Sequence, residues 1–176
     1  ELIEENKFDE LYRKAQLNLY FSQGIGTLTR TLLAANINPI EYLSEIPYCY
    51  LYGDSNITKF VIPDKIEFVH SCAYGPFIKE IRLPDGLTTI GEKAFSGCSA
   101  IEKLVLSSGL KTIDTCAFEN CTELTNVTLN EGLFEIGQYA FRNTNIEKLR
   151  LPSTLRSIDV QAFPELITLE VFPGTY

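Results

Sequence analysis

Aliphatic residues recur in a fixed order along the last two thirds of this chain, with polar residues between them. Leu83, Leu87 and Ile90 lead to Ala94-Phe95, then to Cys98, Ile101 and Leu104, before Leu106 opens the next cycle. The order returns as Leu106, Leu110, Ile113, Ala117-Phe118, Cys121, Leu124 and Val127, and again from Leu129 and Leu151. Cycles open at Ile62, Leu83, Leu106, Leu129 and Leu151, so the spacings are 21, 23, 23 and 22 residues. Such a period marks a stacked solenoid, because one unit cannot bury its apolar face alone and must lie on the next.

Inside each cycle the pattern changes period. Lys103-Leu104-Val105-Leu106 alternates as a half-buried strand does. Pro63, Pro84 and Pro152 follow such stretches, at a strand end where a missing N–H does no harm. Thr89-Ile90, Thr112-Ile113 and Glu135-Ile136 predict a second, shorter strand on the opposite side of each unit. The Ala-Phe pairs at 94–95, 117–118, 140–141 and 162–163 predict a tight turn, with small Ala admitting close backbones and Phe filling the core. Tyr74 takes the Phe place in the first full unit. Asn56 to Pro63 parallels Asn145 to Pro152, so the array begins with a half-unit near residue 56. Length differences fall between Phe and the next aliphatic residue, as in Phe141 to Ile146, where loops absorb them.

The pattern L-P-x-x-L-x-x-I-x-x-x-A-F-x-x-C-x-x-L-x-x-V, running over about residues 56–172, resembles the BspA-type leucine-rich repeat. The resemblance implies a right-handed leucine-rich-repeat solenoid, an α/β repeat rich in short strands. It also implies roles in adhesion or protein recognition, in bacteria, their phages and some protozoa. It brings no shared catalytic residues to transfer.

The front of the chain differs in kind. Phe8, Leu11, Tyr12, Ala15, Leu19 and Tyr20 recur at helical spacing, up to Gly24-Ile25-Gly26. Further helices are expected over about 27–35 and 40–44, the latter behind Asn38-Pro39. Open rungs expose strand edges and apolar side chains, so residues 1–55 are expected to form a helical N-terminal cap on a solenoid of about five units over 56–176. At the other end, Phe172-Pro173-Gly174-Thr175-Tyr176 matches the opening of one more unit. The last rung is therefore expected to meet either further repeats or a second copy, giving a homodimer through the C-terminal rung.

Charge narrows the partners. The net charge is −8 and neither half is basic, so no nucleic acid is expected as a partner. No apolar run approaches the ~20 residues of a membrane span. Glu1-Leu2-Ile3-Glu4-Glu5 lacks the basic flank and apolar stretch of a signal peptide. Five cysteines, an odd number, read as free thiols in a reducing compartment, so a cytoplasmic location is expected over a secreted or cell-surface one.

Little in the chain suggests chemistry. His70 is the sole histidine, and although Cys72 follows two residues on, in His70-Ser71-Cys72, the places equivalent to Cys72 hold Lys93, Cys116, Tyr139 and Gln161. So free a choice predicts exposed positions and no catalytic dyad. Cys98 and Cys121 share one place on neighbouring rungs, about 5 Å apart, a spacing that a disulfide could bridge. A buried column of small thiols is the expected outcome. Cys116 and Cys121 face different ways, so no zinc site is expected, nor any other metal or cofactor. Asn56, Asn120 and Asn126 begin glycosylation triplets, which matter only where the machinery is met.

The candidate site is the strand ladder. One outward column is Lys59, Glu80, Lys103, Asn126, Lys148 and Thr168, and the next is Val61, Arg82, Val105, Thr128, Arg150 and Glu170. Together they hold five basic residues against two acidic ones, on an acidic chain. Lys59, Arg82, Lys103, Asn126, Lys148 and Arg150 are expected to contact a protein partner of acidic character. A one-residue slip would present Thr58, Lys79, Glu102, Thr125 and Glu147 instead. The expected function is a non-catalytic protein-binding scaffold. The alternatives are a secreted or surface-attached bacterial adhesin, and a phage- or bacterium-encoded effector that blocks a host protein inside the cell.

Overall fold

The structure, a computed structural model, describes residues 58–69, 75–164 and 167–171. The expected helical cap over 1–55, His70, Cys72 and Tyr74 lie outside the described residues. What is described consists of short strands and turns without a helix, so the α part of the expected α/β class has no counterpart there.

Two kinds of strand alternate. The longer are β1 (Lys59–Val61), β3 (Glu80–Arg82), β5 (Lys103–Val105), β7 (Asn126–Thr128), β9 (Lys148–Arg150) and β11 (Thr168–Glu170). The shorter are β2 (Phe68–Val69), β4 (Thr89–Ile90), β6 (Thr112–Ile113), β8 (Glu135–Ile136) and β10 (Ser157–Ile158). The short strands form one five-stranded parallel sheet in the order β10-β8-β6-β4-β2, joining Thr89 to Thr112 and Ile113 to Ile136 in register. The long strands pair in parallel as three separate couples, β1 with β3, β5 with β7 and β9 with β11.

The ladders follow from burial. Leu87, Leu110 and Leu133, then Ile90, Ile113 and Ile136, stack with at most 1% of their surface exposed. Phe95, Phe118, Phe141 and Phe163 form one stack, with ring centroids 5.4, 5.4 and 5.6 Å apart and planes within 17°. Burying a side chain of this size stabilises the fold by roughly 1.5–3 kcal/mol. Ala94, Ala117, Ala140 and Ala162 are fully buried beside the rings, as close backbones require.

The turn around each Phe forms a third ladder. The N–H groups of Lys93, Phe95 and Gly97 donate to Thr115, Ala117 and Glu119 on the next rung, at 2.9, 2.8 and 2.8 Å. Those of Cys116, Phe118 and Asn120 repeat this towards Gln138, Ala140 and Arg142. Such spacing needs a left-handed residue, and Lys93, Cys116 and Tyr139 have φ of 54°, 57° and 58°. Gly97, Asn120 and Asn143 take the same conformation four places on, which suits Gly and Asn best.

Burial differs between the first and last described rungs. Phe60 and Val69 are 5% and 0% exposed, whereas Leu169 and Ile158, at the equivalent inward places near the other end, are 41% and 37% exposed.

Candidate partner-binding face

Each long strand turns one residue inward and two outward. Phe60, Ile81, Leu104 and Leu149 are buried, and Val127 is half-buried. On either side of them Lys59, Arg82, Lys103, Asn126, Lys148 and Arg150 are all exposed, together with Val61, Glu80, Val105 and Thr128. The strand phase read from the sequence is therefore the observed one. Thr58, Lys79, Glu102, Thr125 and Glu147 are exposed as well, and they make a third row just before the strands. Parallel pairing sets the columns, with Lys59 opposite Glu80, Val61 opposite Arg82 and Lys103 opposite Asn126. Val105 lies opposite Thr128, Lys148 opposite Thr168 and Arg150 opposite Glu170.

The six candidates are not equivalent. Lys59 forms a 2.7 Å ion pair with Glu80, both side chains well exposed, so its charge is already answered on the face. Arg82, Lys103 and Lys148 have no ion pair among the described residues. Asn126 donates from its Nδ2 to Thr125 Oγ1 at 3.0 Å. Val61 and Val105 leave 40% and 55% of their surfaces in water, apolar spots among the charges. Sequence reasoning placed both valines in a column without counting them as contacts. A valine at an outward place of a strand was the signal.

The thiols are packing groups. Cys98 and Cys121 are reduced thiols and fully buried, and Cys121 Sγ donates to the Phe95 carbonyl at 3.3 Å. Burial pushes the Cys98 thiol up to about 11, against a weaker opposing hydrogen bond at Gly75. Burial also raises Cys121, helped by the charge of Cys98. A thiol held protonated is a poor nucleophile and a poor metal ligand.

Cys116 requires a correction. Its place was expected to be exposed, yet only 7% of it is. Lys93 and Gln161 at the equivalent places are long enough to reach water, whereas a Cys side chain is not. Burial raises its pKa, and Glu119, which accepts its hydrogen bond, raises it further. Glu119 is itself buried and forms an ion pair with Arg142, whose guanidinium lies 4.2 Å from the centre of the Tyr139 ring. This group ties two rungs together and leaves no activated nucleophile.

At the corner that other units fill with Pro, Ser107 Oγ and Asn130 Oδ1 are buried without a hydrogen-bond partner among the described residues. Asn120, the second glycosylation triplet, accepts a 2.8 Å hydrogen bond at Oδ1 from Asn143. Among the described residues no group of three or more His, Cys, Asp and Glu is placed to hold a metal ion. No described helix is long and apolar enough to cross a membrane.

Comparison with known proteins agrees with this architecture. The BspA type leucine rich repeat region matches residues 44–170 in six copies. Among solved structures, the pneumococcal vaccine antigen PcpA is 28% identical with a TM-score of 0.56, covering 67% of this chain and 31% of that one. A leucine-rich repeat protein of T. pallidum is 24% identical with a TM-score of 0.56, covering 72% of this chain and 66% of its own. One from Bacteroides ovatus, 18% identical with a TM-score of 0.52, covers 65% of this chain and 33% of its own. The chain thus spans about a third of two of these proteins and about two thirds of the other. No curated protein matches it. With the repeat covering most of its length, the chain belongs to the BspA-type leucine-rich-repeat family.

Proposed function

We propose that this chain is a non-catalytic scaffold that binds a partner protein through its long-strand face. One observation carries the reading. The backbone repeats while the outward residues do not, so the same place on successive rungs offers Lys59, Glu80, Lys103, Asn126 and Lys148, all exposed. A regular frame with varied side chains suits the recognition of one extended partner surface. The inward places are occupied by core, and the turn N–H groups by the next rung.

The test separates the faces. Tyr replaces Asn126 and Thr128 at the centre of the long-strand face, or Thr112 on short strand β6 as a control. Tyr suits a strand, so the fold tolerates both changes. Pull-down from cells of the source organism, quantified by mass spectrometry, should recover a common partner with the unaltered chain and the Thr112→Tyr control. The Asn126→Tyr/Thr128→Tyr variant should lose it. Loss through the control, with retention by the face variant, overturns the assignment.

A second reading has support of its own, a surface-attached bacterial adhesin. The similarity to a protein described as a pneumococcal vaccine antigen favours it. Protease treatment of intact cells distinguishes it from a cytoplasmic binder or an effector acting inside a host, since only a displayed chain is cleaved.

A further inference from the structure

We infer that the long-strand face takes an acidic protein segment carrying one aliphatic side chain, seated on Val105 and held by Arg82, Lys103 and Lys148. The inference rests on the strand-face reading and names the kind of partner that the face fits.

The cations are where a partner can use them. Arg82, Lys103 and Lys148 are exposed and form no ion pair among the described residues, so their charge is available on the face. Lys59 differs in forming a 2.7 Å ion pair with Glu80. The three cations stand on β3, β5 and β9, and rungs of a parallel ladder repeat at about 4.8 Å. They therefore span four rungs, roughly 14 Å at ladder spacing. The unpaired steps from β3 to β5 and from β7 to β9 make that a lower bound, so an extended segment of about five residues or more is needed. Between them lies β7, whose outward Asn126 and Thr128 are uncharged. Val105, 55% exposed, shares β5 with Lys103 and follows Arg82 along its column. It offers an aliphatic contact beside two cations, and desolvating it on binding is favourable.

The same face discriminates among acidic partners. Glu102 and Glu147 are exposed directly before Lys103 and Lys148, and Glu80 and Glu170 stand within the outward columns. A uniformly charged polyanion, such as a sulfated polysaccharide or a nucleic acid, would lay negative charge against all four. A protein segment places its carboxylates one by one, so it can meet the cations and avoid the glutamates.

Random linear peptides displayed on phage are selected on the full chain. Their binding is then measured by fluorescence polarisation against the unaltered chain, R82E/K103E/K148E, Val105→Asn and K65E, the last at an exposed turn place between β1 and β2. The expected peptides combine several Asp or Glu residues with an aliphatic one. The triple reversal should weaken them at least about tenfold and Val105→Asn by about threefold, while K65E changes little. Peptides with Lys in place of their acidic residues should bind the triple-reversed chain, which also shows that this variant is folded. Selection of neutral or basic peptides, indifference to the triple reversal, or failure to select any peptide overturns the inference. If Asn126→Tyr/Thr128→Tyr still abolishes such binding, only the acidic partner is lost and the strand-face reading stands. If heparin binds more tightly than every peptide and is lost on the triple reversal, the face serves a polyanion and the inference also fails.

Discussion

Cys98 and Cys121 act through their size and their protons. Each fills a fully buried place beside the Phe stack that Thr144, also buried, fills on the following rung. A hydroxyl there bonds within its own turn, from Thr144 Oγ1 to the Phe141 carbonyl at 2.8 Å, while the Cys121 thiol reaches Phe95 on the rung before. Cys98 holds its proton to about pH 11 in the folded chain, against an ordinary value of 9.0. A group raised in this way contributes stability that is complete below the unfolded value and is lost as pH climbs through the folded one. The free energy of unfolding should therefore fall between about pH 9 and pH 11. Cys98→Ala should fall less steeply over that window in urea titrations. An identical slope would mean that the thiol is not protected by burial.

Backbone approach between rungs decides what an element can tolerate. A Cβ at Gly109 would run into the backbone oxygen of Asp85 on the rung below, whereas one at Gly86 would stand 3.3 Å from Asp64 O. Gly109→Ala should cost about 1–3 kcal/mol, because neither backbone can yield without opening the ladder. Gly86→Ala should stay near neutral, since a small clash offsets the ~0.4–1 kcal/mol gained by restricting the unfolded chain. Chemical denaturation of the two variants checks the order, and equal losses would contradict it. At this scale much was legible in advance. Alternating residues located the long strands, the Thr-Ile and Glu-Ile pairs located the short ones, and Ala-Phe located the turns. The left-handed residues before each Ala were not legible, because Lys93, Cys116 and Tyr139 carry none of the residue preference that marks Gly97, Asn120 and Asn143. Residue choice at that place also misled about Cys116, where length and not polarity decides contact with water. On the candidate face the columns could be read from the sequence. The 2.7 Å contact that withdraws Lys59 could not, since it depends on where two flexible side chains meet.

Across the whole molecule, stability is a sum over rungs and the contacts between neighbours. A central rung has partners on both sides, and the Phe118 ring lies between Phe95 and Phe141 at 5.4 Å from each. Near β10 and β11 the inward Ile158 and Leu169 remain substantially exposed. Hydrogen exchange of the 176-residue chain should therefore be slowest at Phe118 and Asn120, whose N–H groups bond to the next rung. It should be much faster at Leu151 and Thr168, which bond only to or from the last described strand. Uniform exchange along the array would point instead to a single all-or-none opening. The two sheets differ in one further respect. The short strands join without a break from β2 to β10, while the long strands stop pairing between β3 and β5 and between β7 and β9. Bending needs less energy where fewer hydrogen bonds must stretch, so the short-strand side of the solenoid should be the stiffer one. A partner crossing β3 to β9 would span both gaps in pairing, where the long-strand face should yield most easily.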